Sequence, residues 1–340
     1  MNALVTGGLG FIGSHLTERL LQDGHRVTVV DDLSTGHLQN LAHLVGHPQL
    51  SCYIDTIRNK ELMERVVADN DVIFHLAAVV GVRPVLQDPL RCLETNIRGT
   101  DMLLEIADKF GVKVLLASSS EVYGKNSNGP MREDDNRLLG PTVVTRWIYA
   151  TTKAVDECLG LGYWRERGLP VIVMRLFNVV GPRQTDQYGM VLPSFVQQAL
   201  ANRPITVYGD GQQVRSFTYI SDTVNAMLAL SENAAAVGEV FNIGSAEQIC
   251  IADLAMRVKE AIGCQSPIQY IPYEVAYGEG FEDTRSRVPD ISKLKALVGY
   301  EPKIRMDEMI QRIIQYFQSR REVKAPAASA SFSARYGPTV

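Results

Sequence analysis

Within the stretch WIYATTKAVDE, Tyr149 and Lys153 stand four residues apart. On a helix that spacing sets both side chains on one face. An ammonium beside a phenol favours the phenolate and brings its pKa toward neutral pH. A phenol tuned in this way can take the proton of an alcohol while hydride leaves for a nicotinamide; the other reading is an ordinary surface pair. A second group, Ser118-Ser119-Ser120-Glu121-Val122-Tyr123-Gly124, follows an apolar run. A hydroxyl at the carboxyl end of a strand either holds a reacting oxygen or caps a turn. The third feature is Gly7, Gly10 and Gly13, set three apart between an apolar strand and a helix. Gly7 permits a tight bend, Gly10 lets a pyrophosphate approach the backbone, and Gly13 lets the helix pack closely. Free N–H groups at the helix start, from Phe11, Ile12 and Gly13, then face the phosphates. Asp31 ends the next apolar strand, where an acid accepts from ribose hydroxyls. Asp32 follows with no arginine beside it in sequence, which favours NAD over NADP.

These residues need a frame. Ala3–Thr6, Arg26–Asp31, Leu50–Ile54, Val72–Leu76, Val112–Ser118 and Val171–Leu176 read as buried strands. Phe11–Gln22, Lys60–Ala68, Cys92–Phe110 and Tyr149–Arg167 carry apolar positions at helical spacing between them. The alternation predicts an α/β protein, a Rossmann-type doubly wound parallel sheet with a crevice at the strand carboxyl ends. Beyond residue 180 the rhythm changes. Strands at Ile205–Tyr208, Val214–Tyr219 and Glu239–Ile243 alternate with helices at Met190–Ala201, Ser221–Glu232 and Ile251–Ile262. The expected division is residues 1–180 as dinucleotide-binding domain and 181–320 as a smaller α/β substrate lobe, partly interleaved with the first. Residues 321–340, rich in Ala, Ser and Pro, read as a disordered tail.

The 340 residues are 46% hydrophobic and 21% charged, with a net charge of −4. No basic cluster suggests nucleic acid, and no apolar run reaches membrane length. The five cysteines form no C-x-x-C pair or metal spacing. Scattered thiols point to a reducing, cytoplasmic setting with no metal.

Taken together, TGGLGFIGSHL, DDLSTG, FHLAA, SSSEVYG, YATTK, RLFNVVGPR and YGDGQQVRSFTYISD resemble the extended short-chain dehydrogenase/reductase family of nucleotide-sugar enzymes, from about Met1 to Arg320. The resemblance implies bound NAD, a nucleoside-diphosphate-sugar substrate and oxidation at sugar C4. It makes Ser119 the Ser/Thr member, Tyr149 the base and Lys153 its tuner, with Tyr149 and Lys153 also touching the cofactor. By the matched motifs Ser34, Thr35 and Gly36 join Asp31 and Asp32 around the adenosine, and Leu76, Ala77 and Ala78 line the groove. Family members carry D-I after the third strand; here the matching residues are Thr56 and Ile57, with the acid displaced to Asp55. A homodimer through a four-helix bundle of the two long helices is also implied.

All members share the 4-keto intermediate, so the second step decides function. Glu121 before V-Y-G resembles uronate decarboxylases and some dehydratases more than epimerases. Near a substrate carboxylate it would favour loss of neutral carbon dioxide by repulsion; alternatively it hydrogen-bonds a loop. YGEGFEDTRSRVPDISK, with Asp283 and Arg287, resembles the D-x-x-x-R-x-P segment of UDP-xylose synthase and the decarboxylase domain of the aminoarabinose pathway. Gly280 stands where epimerases have an arginine. By the same matches Arg215 approaches the reacting sugar, Arg287 contacts phosphate, Ser120 and Asn178 contact substrate, and Thr206 and Tyr208 line the uracil pocket. Arg83, in a stretch resembling UDP-glucuronate 4-epimerases, holds a uronate carboxylate or caps a loop. The expected function is therefore an NAD-dependent UDP-glucuronate decarboxylase giving UDP-xylose or UDP-4-keto-pentose. The alternatives, in order, are a UDP-sugar 4-epimerase, a 4,6-dehydratase and a non-catalytic NAD-binding regulator.

Overall fold

The computed structural model describes residues 1–126, 129–185, 190–278 and 281–322. The chain begins with β1 (Asn2–Thr6), α1 (Phe11–Gln22), β2 (Arg26–Asp31), β3 (Leu50–Ile54), α2 (Lys60–Ala68) and β4 (Val72–His75). Alternate side chains of these nearly continuous apolar strands enter two separate cores. Ala3 and Val5 join Leu16 and Leu20 of α1 on one face, while Leu4 and Ile73 join Leu62 and Met63 of α2 on the other. A sheet buried on both faces has no room for the polar alternation of a half-exposed strand.

Three short helical pieces follow: α3 (Val82–Gln87), α4 (Pro89–Leu93) and α5 (Gly99–Phe110). The sequence predicts one helix over Cys92–Phe110. It starts three residues earlier because Asp88 caps it, its carboxylate accepting from Arg91 N at 3.0 Å with Pro89 in the first turn. Between α4 and α5 the segment Glu94–Arg98 widens into a π-type turn that buries Asn96. The Asn96 amide then bridges Val79 N at 2.8 Å and the Thr152 hydroxyl at 3.1 Å. Next come β5 (Lys113–Ser119), α6 (Ile148–Arg167) and β6 (Val171–Leu176).

The main sheet is seven-stranded and parallel, in the order Val240–Ile243, β6, β5, β4, β1, β2, β3. From β1 the chain winds outward to β3 and then returns to β4 on the other side of β1. That reversal opens a crevice at the carboxyl ends of β1 and β4, where doubly wound sheets bind ligands. Val240–Ile243, from the later half of the chain, forms an edge of this sheet by pairing with β6.

The expected single strand Val214–Tyr219 is two. Phe217 turns into the core, and the halves take different partners. Thr218–Tyr219 pairs with Val179–Val180, whereas Val214–Ser216 lies between Gln248–Cys250 and Ser286–Arg287. Its register with the last of these sets Arg215 directly against Arg287. The final helix runs Met306–Glu322, so the expected tail begins in helix at residues 321 and 322, and its remainder lies outside the described residues. Among the described residues no helix is long and apolar enough to cross a membrane.

Candidate active site

The glycine turn is a cradle that side chains would fill. Gly7 has φ +70°, and a Cβ on it would sit 3.0 Å from Ala77 N. A Cβ on Gly13 would lie 2.1 Å from the Gly7 carbonyl oxygen, so α1 packs on the turn only because that position is bare. No side chain caps the start of α1 at Gly10, which leaves the first N–H groups of Phe11, Ile12 and Gly13 for an anion. Asp31 braces both lips of the groove: its carboxylate accepts from Leu9 N at 2.9 Å and from Leu33 N at 2.8 Å, and Gly36 packs on it. Burial raises its pKa.

One expectation about the adenosine end needs correction, that no arginine is near Asp32. No arginine neighbours Asp32 in sequence, but the fold brings Arg91 of α4 to 3.8 Å from its carboxylate. The cation is present and shared with an acid, so its absence from the local sequence carries no argument about the 2′ position. Ile57 sends its side chain into the core against Gly99, leaving only backbone for the groove. Asp55 has its carboxylate engaged by Thr56 N and Asn59 Nδ2, both at 2.7 Å.

Ser119, the last residue of β5, caps the short turn Ser120–Tyr123, its hydroxyl accepting from Glu121 N at 3.2 Å. Gly124 closes that turn at φ +62°, where a Cβ would strike the Leu138 carbonyl. The turn points Ser119, Ser120 and Glu121 into a cavity of about 490 Å³, also lined by Tyr149, Arg83, Asn178, Thr206, Tyr208, Arg215 and Arg287. The substrate-side residues singled out by sequence thus share one concave site.

The electrostatics of the pair Tyr149 and Lys153 differ from expectation. The phenol, hydrogen-bonded with Ser119, is pushed above its ordinary range by burial and then by the charge of Glu121. Lys153 turns its ammonium to Asp156, 3.0 Å away, both side chains being buried. The lysine is therefore held by an acid one turn further along α6, and its pull on the phenol is countered.

Glu121 also departs from the expected role of a bare repelling charge. Arg146 Nη2 lies 2.7 Å from Glu121 Oε2, and Arg287 Nη1 hydrogen-bonds Oε1. Despite burial, the two guanidiniums hold the carboxyl well below the usual carboxylate range. Repulsion of a substrate carboxylate is offset because the triplet as a whole is cationic. Arg287, expected on phosphate, belongs to this triplet. Beside it, Arg215 Nη2 donates to both oxygens of Asp283, at 3.1 and 3.0 Å, and the Tyr273 hydroxyl donates to Asp283 at 2.8 Å. Burial lowers the Arg215 pKa, and the adjacent Arg287 lowers it further. Among the described lining residues, five arginines (83, 146, 203, 215 and 287) face two carboxylates, Glu121 and Asp283. The cavity is built for an anion.

Sequence reasoning missed Arg146. Its signal is positional: three residues before Tyr149, it shares that residue's face across the helix start. Also missed was Gln198, whose side-chain amide clamps Thr206 by accepting from its N–H at 3.0 Å and donating to its hydroxyl at 2.8 Å. Asn178 adopts φ +33° and donates to the Ser216 carbonyl at 2.7 Å, which ties β6 to the arginine-bearing strand. Gly280 lies outside the described residues.

A dinucleotide cradle and a Ser-Tyr-Lys set on a doubly wound sheet define the nucleotide-sugar short-chain dehydrogenase class. The profile of the NAD dependent epimerase/dehydratase family matches residues 3–244, and the chain belongs to that family. The UDP-N-acetyl-alpha-D-glucosaminuronate decarboxylase of Bacillus cytotoxicus is 41% identical over 316 residues, 93% of this chain and 97% of that protein. UDP-glucuronic acid decarboxylase 1 of Danio rerio is 37% identical, covering 95% of this chain and 74% of that protein. Among solved structures, the UDP-glucuronic acid 4-epimerase of Bacillus cereus, in complex with UDP-glucuronic acid and NAD, superposes with a TM-score of 0.85 at 29% identity, over 94% of this chain and all of that one (100%).

Proposed function

We propose that this protein is an NAD-dependent decarboxylase of a UDP-hexuronate, with UDP-glucuronate as the leading substrate, working through a 4-keto intermediate. The observation that carries the reading is the Arg146–Glu121–Arg287 triplet beside Tyr149, in a cavity whose arginines outnumber its acids. A UDP-hexuronate brings two phosphate charges and a carboxylate to neutralise. The decarboxylase relatives at 41% and 37% identity support the same reading.

NAD, held by residues 1–180 at the glycine turn and along Leu76, Ala77 and Ala78, supplies the hydride acceptor and later donor. In its phenolate form Tyr149 takes the C4 hydroxyl proton, with Ser119 holding that hydroxyl in line. Once C4 is a ketone the substrate is a β-keto acid. The C5–C6 bond breaks, carbon dioxide leaves, and the electron pair passes to the C4 oxygen, where Ser119 and Tyr149 donate hydrogen bonds to the developing enolate. Arg215 and the cationic triplet orient the carboxylate before it departs. A proton from solvent water at C5 gives UDP-4-keto-pentose, and return of the hydride to C4 gives UDP-xylose. Residues of the 181–320 lobe, Thr206 and Tyr208 among them, line the uridine end.

A UDP-uronate 4-epimerase is the second reading. One feature favours it: Glu121, ionised and doubly paired, has no proton to give at C5, and an epimerase needs none. Incubation with NAD and UDP-glucuronate or UDP-N-acetylglucosaminuronate, followed by mass analysis, separates the readings. Loss of carbon dioxide from either is expected and identifies the sugar; an isomer with its carboxyl retained overturns decarboxylation.

A further inference from the structure

We infer that Asp156 is a positioning residue of this site, anchoring Lys153 through a buried ion pair and thereby setting the pH at which Tyr149 works. The pair closes at 3.0 Å with the lysine side chain 3% exposed and the aspartate 0%. At that burial solvent screens it little. Tyr149 stands four residues before Lys153 on α6 and Asp156 three after it, so all three share one side of the helix, and, alongside burial and Glu121, the charge of Asp156 raises the Tyr149 pKa.

A hydrogen-bonded chain ends beside the aspartate. Thr100 of α5 faces its carboxyl, whose Oδ1 is buried without a hydrogen-bond partner among the described residues. Thr100 Oγ1 meets His75 Nε2 at 3.0 Å, and His75 Nδ1 meets Thr6 Oγ1 at 2.8 Å. Thr6 Oγ1 also accepts from Ala77 N at 3.2 Å. A neutral, wholly buried imidazole has one N–H, so His75 donates to one of its two threonine partners and accepts from the other. Burial holds His75 neutral, its pKa lowered to about 3. The chain thus runs from the wall of the expected dinucleotide groove to Thr100, beside the aspartate.

The charged and titratable groups facing Tyr149 are Glu121 from the turn after β5, Cys92 from α4, and Asp156 with Lys153 from α6. Facing Asp156 are Lys153 and Glu157 on its own helix and Thr100 on α5, with His75 behind. Of these only Asp156 neutralises the lysine at contact distance.

The test is a tyrosinate titration of the full-length protein by ultraviolet difference against Y149F, with no sugar nucleotide present. In D156N the lysine keeps an oxygen partner but loses its counter-charge, so the phenol titrates about one pH unit lower. In T100V the aspartate loses the hydroxyl that faces its carboxyl, and the shift has the same direction and is smaller. In turnover assays the acid limb of kcat/KM moves with the titration while the plateau falls. Folded D156N with an unmoved phenol, or a shift to higher pH in either variant, overturns the inference; T100V decides if D156N does not fold. The inference rests on Tyr149 as the base, but the titration needs no substrate. Its failure therefore leaves decarboxylation standing, and the failure of decarboxylation leaves the titration to be read.

Discussion

The two halves of the site are built from different materials. The dinucleotide half is backbone: bare Cα positions at Gly7, Gly10 and Gly13, and free N–H groups at one helix start within a dozen residues of chain. The sugar half is side chain. Glu121, Arg146, Arg215, Asp283 and Arg287 arrive from four remote segments and neutralise one another. A backbone site fails when something is added to it. A charge site fails when something is taken away, because the remaining partner stays buried and unmatched.

The largest effect belongs to the residue at the junction. Y149F removes one oxygen and no packing, so kcat is expected to fall by about 10²–10⁴-fold with stability and NAD affinity near wild type. Turnover in Y149F equal to wild type removes the phenol from the chemistry and the comparison with it. E121Q comes next. It leaves Arg146 and Arg287 buried as like charges without their anion, costing about 3–5 kcal/mol of stability by denaturant unfolding. The sign with pH is fixed by the depressed folded pKa of Glu121. Its contribution is whole above the unfolded value of about 4.3 and is lost as pH falls through the folded one. The gap between wild type and E121Q therefore narrows toward strong acid. A gap that stays constant down the acid range means the triplet is not what stabilises this half.

G13A probes the other half by addition. Its methyl meets the Gly7 carbonyl at a separation no Cβ tolerates. The turn must move by roughly an ångström to clear it, at about 1–3 kcal/mol or more. NAD titration is expected to weaken by about tenfold or more, with the pH dependence of unfolding unchanged. G13A binding NAD as tightly as wild type means the turn is not the cradle.

The same contrast explains what the sequence could reveal. Backbone sites have local grammar. The glycine spacing, the strand before it and Asp31 after it lie within one βαβ unit, and the strands Arg26–Asp31, Leu50–Ile54 and Val171–Leu176 were legible from apolar runs alone. The cavity residues were legible one at a time, through matched motifs. Their pairings were not. That Glu121 meets two arginines depends on a parallel register between Val214–Ser216 and Ser286–Arg287, separated by about seventy residues and broken at Phe217. No periodicity encodes that. Asp156 was hidden for another reason: an acid after Y-x-x-x-K reads as the solvated side of a helix until the fold shows α5 covering it.

Arg285 and Arg287 carry the smallest expected effect and the sharpest control. They stand two residues apart, each paired with a carboxylate. Arg285 reaches Asp210 at 2.8 Å in the open, with side chains 69% and 52% exposed; Arg287 reaches Glu121 with 10% and 15%. On strand geometry one intervening residue returns a side chain to the same face, yet Arg287 lies within the paired strand and Arg285 just before it, and their exposures differ accordingly. Exposed pairs are screened by water and cost side-chain freedom to hold together. R285A is thus expected to leave the thermal midpoint and kcat/KM unchanged. R287A strands Glu121 with one partner and removes a cation from the cavity, lowering both the midpoint and kcat/KM. Raising salt should weaken the wild-type pair at Arg285 and leave the one at Arg287 intact. Equal responses of the two variants to salt and to denaturant would mean that burial does not separate these two ion pairs, and the distinction between a neutralised cavity and a solvated surface would lose its footing.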